Sequence, residues 1–275
     1  MMNLLRTRFF HDPRDFQIAF LLAFLVLGVF ARDFTVHWDC VSAALLSCVV
    51  MQLIADRFWQ NPNPSIRSAL ISAISICLIL RANSWMTIGI AGMLAILSKY
   101  VLRYKGKHFF NPSNFGIVLV LWLSKDAWVT PGQWGEEVWF AFLFVGAGLL
   151  VLRKVGRWDT TAVFLITYAI LEASRNLYLG WTWDVFAHRF TSGSLLLFAF
   201  FMITDPRVIP DHVSGRIIFA FLVGVLTFVL RNYYFIPTAV FWSLFVLSPV
   251  TILLDRFWNA TRFQWSLKTV EVNGR

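Results

Sequence analysis

Apolar residues fall into ten runs along the chain, separated by short polar connections or by proline and glycine. The runs cover residues 16–31, 38–55, 67–81, 85–102, 114–124, 136–153, 158–174, 193–205, 213–231 and 238–255. Runs of this kind predict membrane helices, for which about 20 apolar residues span a bilayer. Two are short and broken by charge: SALISAISICLILRANSW (Ser68 to Trp85) and SGSLLLFAFFMITDPRVIP (Ser192 to Pro210). Each holds about a dozen clean apolar residues before Arg81 or Asp205, roughly 18 Å of helix against a hydrocarbon core of about 30 Å. Short interrupted helices at matching places in two halves of a membrane protein point to a buried binding site.

The halves are also weakly self-similar. After Arg81 the chain runs to Val101-Leu102-Arg103, then through an aromatic loop to Pro112 and NFGIVLVLWLS. After Asp205 it runs to Val229-Leu230-Arg231, then through Tyr233, Tyr234 and Phe235 to Pro237 and TAVFWSLFVLS. Five runs per half is an odd number, so the second copy is expected to be inverted across the membrane. The expected fold is therefore all-α: one membrane domain over residues 1–275, with ten transmembrane helices in two inverted five-helix repeats. Repeat one covers about residues 16–124 and repeat two about 136–255, with tails at 1–15 and 256–275.

Composition agrees with a membrane protein. The chain is 58% hydrophobic and only 14% charged, where soluble domains carry about 25% charge. No polar stretch is long enough for a separate soluble domain. The first run is not read as a cleaved leader, because Asp12 and Asp15 precede it and no small-residue cleavage site follows. The net charge of +9 does not imply nucleic acid, since the basic residues are scattered over many loops. With the N-terminus inside, 18 of the 24 Lys and Arg fall on the cytoplasmic side; Arg32, Arg81, Lys125, Arg175, Arg189 and Arg231 fall outside. That bias predicts both termini to be cytoplasmic. Trp38, Trp128, Trp134, Trp181 and Trp183 populate the opposite loops, as an interfacial belt would. Cys40, Cys48 and Cys77 lie in apolar runs without CxxC spacing and read as small core residues. The five histidines are scattered, so no metal site is expected.

Asp205, in Met202-Ile203-Thr204-Asp205-Pro206, is the sharpest candidate. Proline forces the chain out of the helix there, and an acid at membrane depth is functional by default. The alternatives are a cap or an ion pair with Arg207 or Arg216. Asn111-Pro112-Ser113-Asn114-Phe115-Gly116 is the second candidate. Pro112 stops any preceding helix, Ser113 or Asn114 is expected to cap the next one, and the new N-terminus attracts anions. Arg81 either complements an anionic ligand group or snorkels to the interface. Glu172 and Arg175 are expected to pair on one helical face.

FNPSNFGIVLVL, FFMITDP and SGRIIFAFLVGVLTFVLR resemble RnfD and NqrB, the membrane subunits of Rnf-type electron-transport and Na+-translocating NADH:quinone reductase complexes. The resemblance covers about residues 65–256. It implies a bacterial inner-membrane flavoprotein with a fold similar to urea transporters, passing electrons and coupling them to ion movement. With the candidates above, it implies flavin contacts at Asn111, Pro112, Asn114, Gly116, Ser192, Gly193, Ser194, Thr204, Asp205, Pro206 and Arg81. The family carries covalent FMN on a threonine in a Ser-x-Ala-Thr motif, within a long insertion between the fifth and sixth spans. Here that connection is KDAWVTPGQWG (Lys125 to Gly135), and its one threonine, Thr130, precedes a proline and lacks the motif. A covalent flavin is not expected; a non-covalent riboflavin or FMN is. The chain resembles compact stand-alone relatives, with the lipid bilayer and redox partner proteins as its expected partners. The alternative on the same fold is a transporter or channel for a small solute such as a flavin or natural product. A third reading is a scaffold without ligand, recruiting a soluble redox partner through the basic stretch Lys99 to Lys107.

Overall fold

The computed structural model describes residues 12–31, 37–61, 64–129 and 138–265. Arg32, Thr130 with the rest of its connection to Gly135, and residues 1–11 and 266–275 of the predicted tails lie outside the described residues.

The described chain is overwhelmingly helical. The first half holds α1 (Pro13–Ala31), α2 (Trp38–Phe58), α3 (Ile66–Ile79), α4 (Trp85–Val101) and α5 (Pro112–Leu123). The second holds α6 (Val138–Val155), α7 (Trp158–Leu179), α8 (Trp183–Phe190), α9 (Gly193–Leu197), α10 (Val213–Asn232), α11 (Ala239–Leu247) and α12 (Val250–Phe257). α9 widens without a break into a π-helical turn over Phe198–Met202. Two short antiparallel ribbons complete the chain. One pairs β1 (Leu80–Ala82) with β4 (Ala127–Val129), and the other is the hairpin of β2 (Arg103–Tyr104) and β3 (Lys107–His108).

This is a polytopic membrane protein. By length and composition α1, α2 and α10 each suffice to cross a bilayer, and two pairs bent by 49°, α8 with α9 and α11 with α12, raise the count to five. α3, α4 and α5 are apolar but shorter. Many large apolar side chains point outward, among them Phe30, Leu46, Ile54, Trp122, Phe142, Ile166 and Val246. In water such a surface would aggregate; against lipid it is the expected exterior.

The elements differ from the sequence reading in three places. The third run ends its helix at Ile79, and Leu80–Ala82 turns into a strand paired with residues 127–129. Trp183–Phe190 forms a helix that hydrophobic patterning does not predict. The tenth run is two helices, because Pro249 cannot supply the backbone donor a continuous helix needs.

Packing relies on small residues, as between membrane helices generally. α2 packs on α4 and α4 on α5. A Cβ at Gly92 would lie 2.1 Å from Ser47 Oγ, and one at Gly116 would lie 2.2 Å from the Ala91 carbonyl oxygen. Those two glycines set how closely the backbones approach. In the second half α7 packs on α10 and α10 on α11. The halves meet where α1 touches α6 and α5 touches α11.

Candidate functional site

The π turn ends α9 deep in the protein, so its last carbonyls need partners from elsewhere. Four successive ones find them in side chains. Thr161 Oγ1 on α7 donates to the Ala199 carbonyl (2.6 Å) and Thr204 Oγ1 to that of Phe200 (2.8 Å). Gln17 Nε2 on α1 reaches Phe201 more weakly (3.5 Å), and Asn111 Nδ2 donates to Met202 (3.1 Å). Three of the four donors come from other parts of the fold, so the break is built by tertiary contacts. Gly148 on α6 makes the room: a Cβ there would lie 2.5 Å from the Phe200 ring.

Asn111 does two jobs. Its Nδ2 ties the start of α5 to the end of the π turn. Its Oδ1 accepts the Asn114 N–H (3.1 Å) and the Ser113 hydroxyl (3.0 Å), capping α5. The cap is therefore Asn111, not Ser113 or Asn114, because Pro112 takes the first helical position and leaves the residue before it extended. Asn114 is buried one turn further in. Its Nδ2 donates to the Phe241 carbonyl on α11 (3.1 Å), and its Oδ1 has no partner among the described residues.

The start of α5 at Asn111-Pro112 and the break at Asp205 meet on one cavity of about 350 Å3. Asn111, Pro112, Thr204, Asp205 and Pro206 all line it. So do Arg14 and Gln17 of α1, Gln52 of α2, Ser68, Ser72 and Ser75 of α3, Lys99 and Tyr100 of α4, and Arg103 and His108 of the hairpin. Phe200, Phe201 and Trp265 add aromatic surface, and the exposed Arg207 stands at its edge. We call this the basic end of the molecule.

Asp205 folds into an Asx turn. Its Oδ1 accepts the Arg207 N–H (3.1 Å), and its carbonyl accepts those of Val208 and Ile209. Arg216, one of its expected partners, instead binds Asp159 on α7 (2.6 Å). Lys99 is buried, and its ammonium reaches Gln52 Oε1 (2.6 Å) and Ser68 Oγ (3.2 Å). Gln52 passes the contact on: its Nε2 donates to Asp56 (2.9 Å) and to the Tyr100 hydroxyl, which donates to Asp56 in turn. Arg103 lies over the Tyr100 ring, 4.8 Å from its centroid. Burial pushes the His108 imidazole well below its ordinary value, and the positive charges of Arg207, Lys99, Arg103 and Lys107 push it the same way.

The other sequence candidates lie elsewhere. Arg81 follows the opposite end of α3, about 21 Å of helix from its start. Its guanidinium donates to the Cys77 (2.6 Å) and Leu80 (2.9 Å) carbonyls, so it caps the helix it follows. Gly116 is a packing position. Ser192, Gly193 and Ser194 open α9, at the end away from the π turn. Glu172 pairs with Arg189 (2.7 Å) and accepts from Asn232 (2.7 Å), while Arg175 stacks over Trp181 at 4.7 Å. The expected Glu172–Arg175 pair is thus replaced by a longer-range one. Sequence reading missed the buried role of Lys99, and also Gln52 and the serines of α3. Ser68, Ser72 and Ser75 are spaced i, i+4, i+7, a polar stripe on one face of an apolar helix.

The family model described as NQR2, RnfD, RnfE matches residues 123–264. A subunit of the proton-translocating ferredoxin:NAD(+) oxidoreductase complex of Clostridium ljungdahlii is 34% identical over 86% of this chain and 87% of its own length. The chain belongs to the NQR2, RnfD, RnfE family. Two further relatives, both subunits of an ion-translocating oxidoreductase complex, match over a smaller share or at lower identity. That of Stutzerimonas stutzeri is 35% identical over 46% of this chain and 35% of its own length. That of Haemophilus influenzae is 23% identical over 88% of this chain and 76% of its own. The family match takes in the Thr204-Asp205-Pro206 break, and the Clostridium alignment runs over most of both halves.

Proposed function

We propose that this family member is a membrane electron-transfer subunit that holds a flavin, non-covalently, in the basic-end cavity. The observation that carries the reading is the Asn111–Met202 bond, which joins residues 91 apart in sequence and brings the start of α5 and the Asp205 break to one cavity. The donor set fits the group. An isoalloxazine needs apolar faces and a polar edge of carbonyls and N–H. Phe200, Phe201 and Trp265 offer apolar surface, Asp205 an acceptor, and Ser68 and Gln17 donors. The volume lies at the lower end of the roughly 300–1,000 Å3 common to small-molecule sites. When bound, a flavin supplies one- and two-electron redox chemistry. The protein's residues would orient the ring and shield it from bulk water, with Asp205 as an acceptor for its N–H.

The proposal extends to an inverted repeat of ten spans, with the basic end and both termini cytoplasmic. Packing supports it. α1 with α3, α2 with α3, α2 with α4 and α4 with α5 in the first half answer to α6 with α9, α7 with the π turn, α7 with α10 and α10 with α11 in the second. The relatives' names include ion translocation and a multi-subunit complex, and we extend both to this chain: electron flow coupled to an ion, with protein partners at the cytoplasmic face.

Protein extracted in mild detergent should absorb in the flavin band, and acid precipitation should release the chromophore. Asp205→Asn should lower flavin occupancy while the protein still elutes as a folded species. Extracted protein without flavin absorbance refutes the reading, and flavin or solute uptake into liposomes would then favour the transporter.

A further inference from the structure

The hairpin of β2 and β3 walls two cavities. Arg103 pairs with His108 and Tyr104 with Lys107, and successive positions of a strand face opposite sides. Arg103 and His108 line the cavity described above. Tyr104 and Lys107 line another, of about 450 Å3, between the hairpin and α12. Among the described residues none lines both. Lys107 braces this other cavity. Its ammonium donates to Asp255 Oδ2 (2.7 Å), Asp211 Oδ2 (3.0 Å) and the Ile209 carbonyl (2.7 Å), which uses its three protons. Asp255 Oδ1 accepts the Asp211 N–H (2.8 Å). Both carboxylates of the wall are thus engaged.

What remains is positive. Lys105, Arg256 and Arg262 also line the cavity, and none of them forms a salt bridge among the described residues. Positive φ at both Lys105 (49°) and Gly106 (84°) closes the hairpin as a type I′ turn, which fixes Lys105 at its tip. Arg262 Nη1 lies against that turn, 3.5 Å from where a Cβ on Gly106 would stand. Thr251 is an independent sign of a ligand. It lines the same cavity, is 1% exposed, and its Oγ1 has no partner among the described residues. A buried hydroxyl left unpaired is a cost to the empty protein, which a ligand oxygen removes. Three cations and a hydroxyl around one open volume are the complement of a phosphate. The surroundings are those of the membrane surface. Leu253 and Phe257 of α12 are 55% and 77% exposed, beside the cavity positions Ile252 and Arg256 on the same helix. Tyr104 and Trp258 add the aromatic rings typical of the interface.

We propose that this cavity between the hairpin and α12 is a phosphate site, with Lys105, Arg256 and Arg262 supplying the charge and Thr251 a hydroxyl. Its occupant is the headgroup of an anionic phospholipid, whose acyl chains lie along Leu253 and Phe257. Basic pockets beside membrane helices take such headgroups. A free phosphate compound offers the same chemistry without the chains, and the test separates the two. The site is independent of the flavin reading.

The test adds phosphatidylglycerol or phosphatidylcholine to purified, delipidated protein in a neutral detergent and follows retained lipid by native mass spectrometry. Phosphatidylglycerol should bind about 10- to 30-fold more tightly, the range set by two surface cations. The double variant Lys105→Gln with Arg262→Gln should bring the two lipids to within about twofold by weakening phosphatidylglycerol alone. Both residues are exposed, so their loss spares the fold. Thr251→Val, close in shape, should weaken phosphatidylglycerol about threefold or more, the loss of one hydrogen bond. Arg153→Gln removes an exposed cation at the end of α6, outside the cavity, and should leave the preference unchanged. An equal loss from Arg153→Gln makes the effect one of general surface charge and overturns the site. A second arm adds inorganic phosphate to the lipid-free protein and reads melting. No preference between the lipids, with a rise in melting temperature that the double variant lacks, keeps the phosphate site and overturns its lipid occupant. No lipid preference and no response to phosphate overturn the proposal.

Discussion

Asn111 is where the two halves are most directly joined, and its replacement separates two contributions. Asn111→Ala removes the cap of α5, worth about 1 kcal/mol. It also leaves the buried Met202 carbonyl without its side-chain donor, a loss of about 1–3 kcal/mol. The remaining contact to that oxygen, from the Asp205 N–H at 3.4 Å, is too long to replace it. Together the losses amount to about 2–4 kcal/mol, a fall in melting temperature on the order of 5–15 °C. Asn111→Asp tells the two apart. It keeps an oxygen for the Asn114 N–H and adds a negative charge at the start of α5, favourable by a few tenths of a kcal/mol. It lacks the Nδ2 donor and turns a carboxylate oxygen toward Met202. The expected order is therefore unaltered protein, then the Asp variant by most of the gap, then the Ala variant. Melting is read in mild detergent as the fraction still eluting as a monodisperse species after heating. An Asp variant as stable as the unaltered protein refutes the claim that the bond to Met202 holds the π turn in place.

Other expectations concern separate parts of the molecule. Glu172→Gln strands Arg189 in a buried site and should cost about 3 kcal/mol, and adding Arg189→Met should recover part of it; melting of the single and double variants checks both. Gly116→Val puts atoms inside contact distance of the Ala91 carbonyl and forces α4 from α5, so the yield of folded protein should collapse, whereas Gly146→Ala, with open space around its Cβ position, should be tolerated. His108 stays neutral in the folded protein because burial and its cationic neighbours lower its pKa. Unfolded chain takes up that proton below about pH 6.5, so stability is complete above that pH and declines as pH falls through it. A melting profile from pH 8 to pH 5 should show the decline, and His108→Gln should flatten it.

Helix positions were legible in the sequence because apolar runs and Pro or Gly punctuation carry most of that signal. α8 was not, since Trp183–Phe190 mixes Asp184, His188 and Arg189 with its apolar residues and is too short to show a period. The π turn was invisible for a different reason. FAFFM reads as ordinary helix, and the wider turn depends on Thr161, Gln17 and Asn111 reaching in from three other parts of the fold. The site was half legible. Proline marked the start of α5 and the Asp205 break and drew attention to Asn111 and Asp205, which the fold brings to one cavity. Lys99 read as part of a basic loop, although it precedes the end of α4 and its side chain is buried. Repeat symmetry placed Arg81 with the site. The structure puts it at the far end of α3.

The two ends of the molecule reach opposite outcomes. Each half locks its main helix pair with a buried polar network: Gln52, Asp56, Tyr100 and Lys99 between α2 and α4, and Glu172, Asn232 and Arg189 around α7 and α10. In the second network the charges close on each other. Arg81 likewise caps its own helix, and the space beside it is only about 20 Å3, room for little more than one water. In the first network Lys99 ends on neutral groups and faces a cavity of about 350 Å3. Stability alone gives no reason for that difference, because the second half shows how the same fold seals such a network. A buried ammonium left open at one end lies on the same cavity as Asp205 and the capped π turn, where the proposed ligand would complete it.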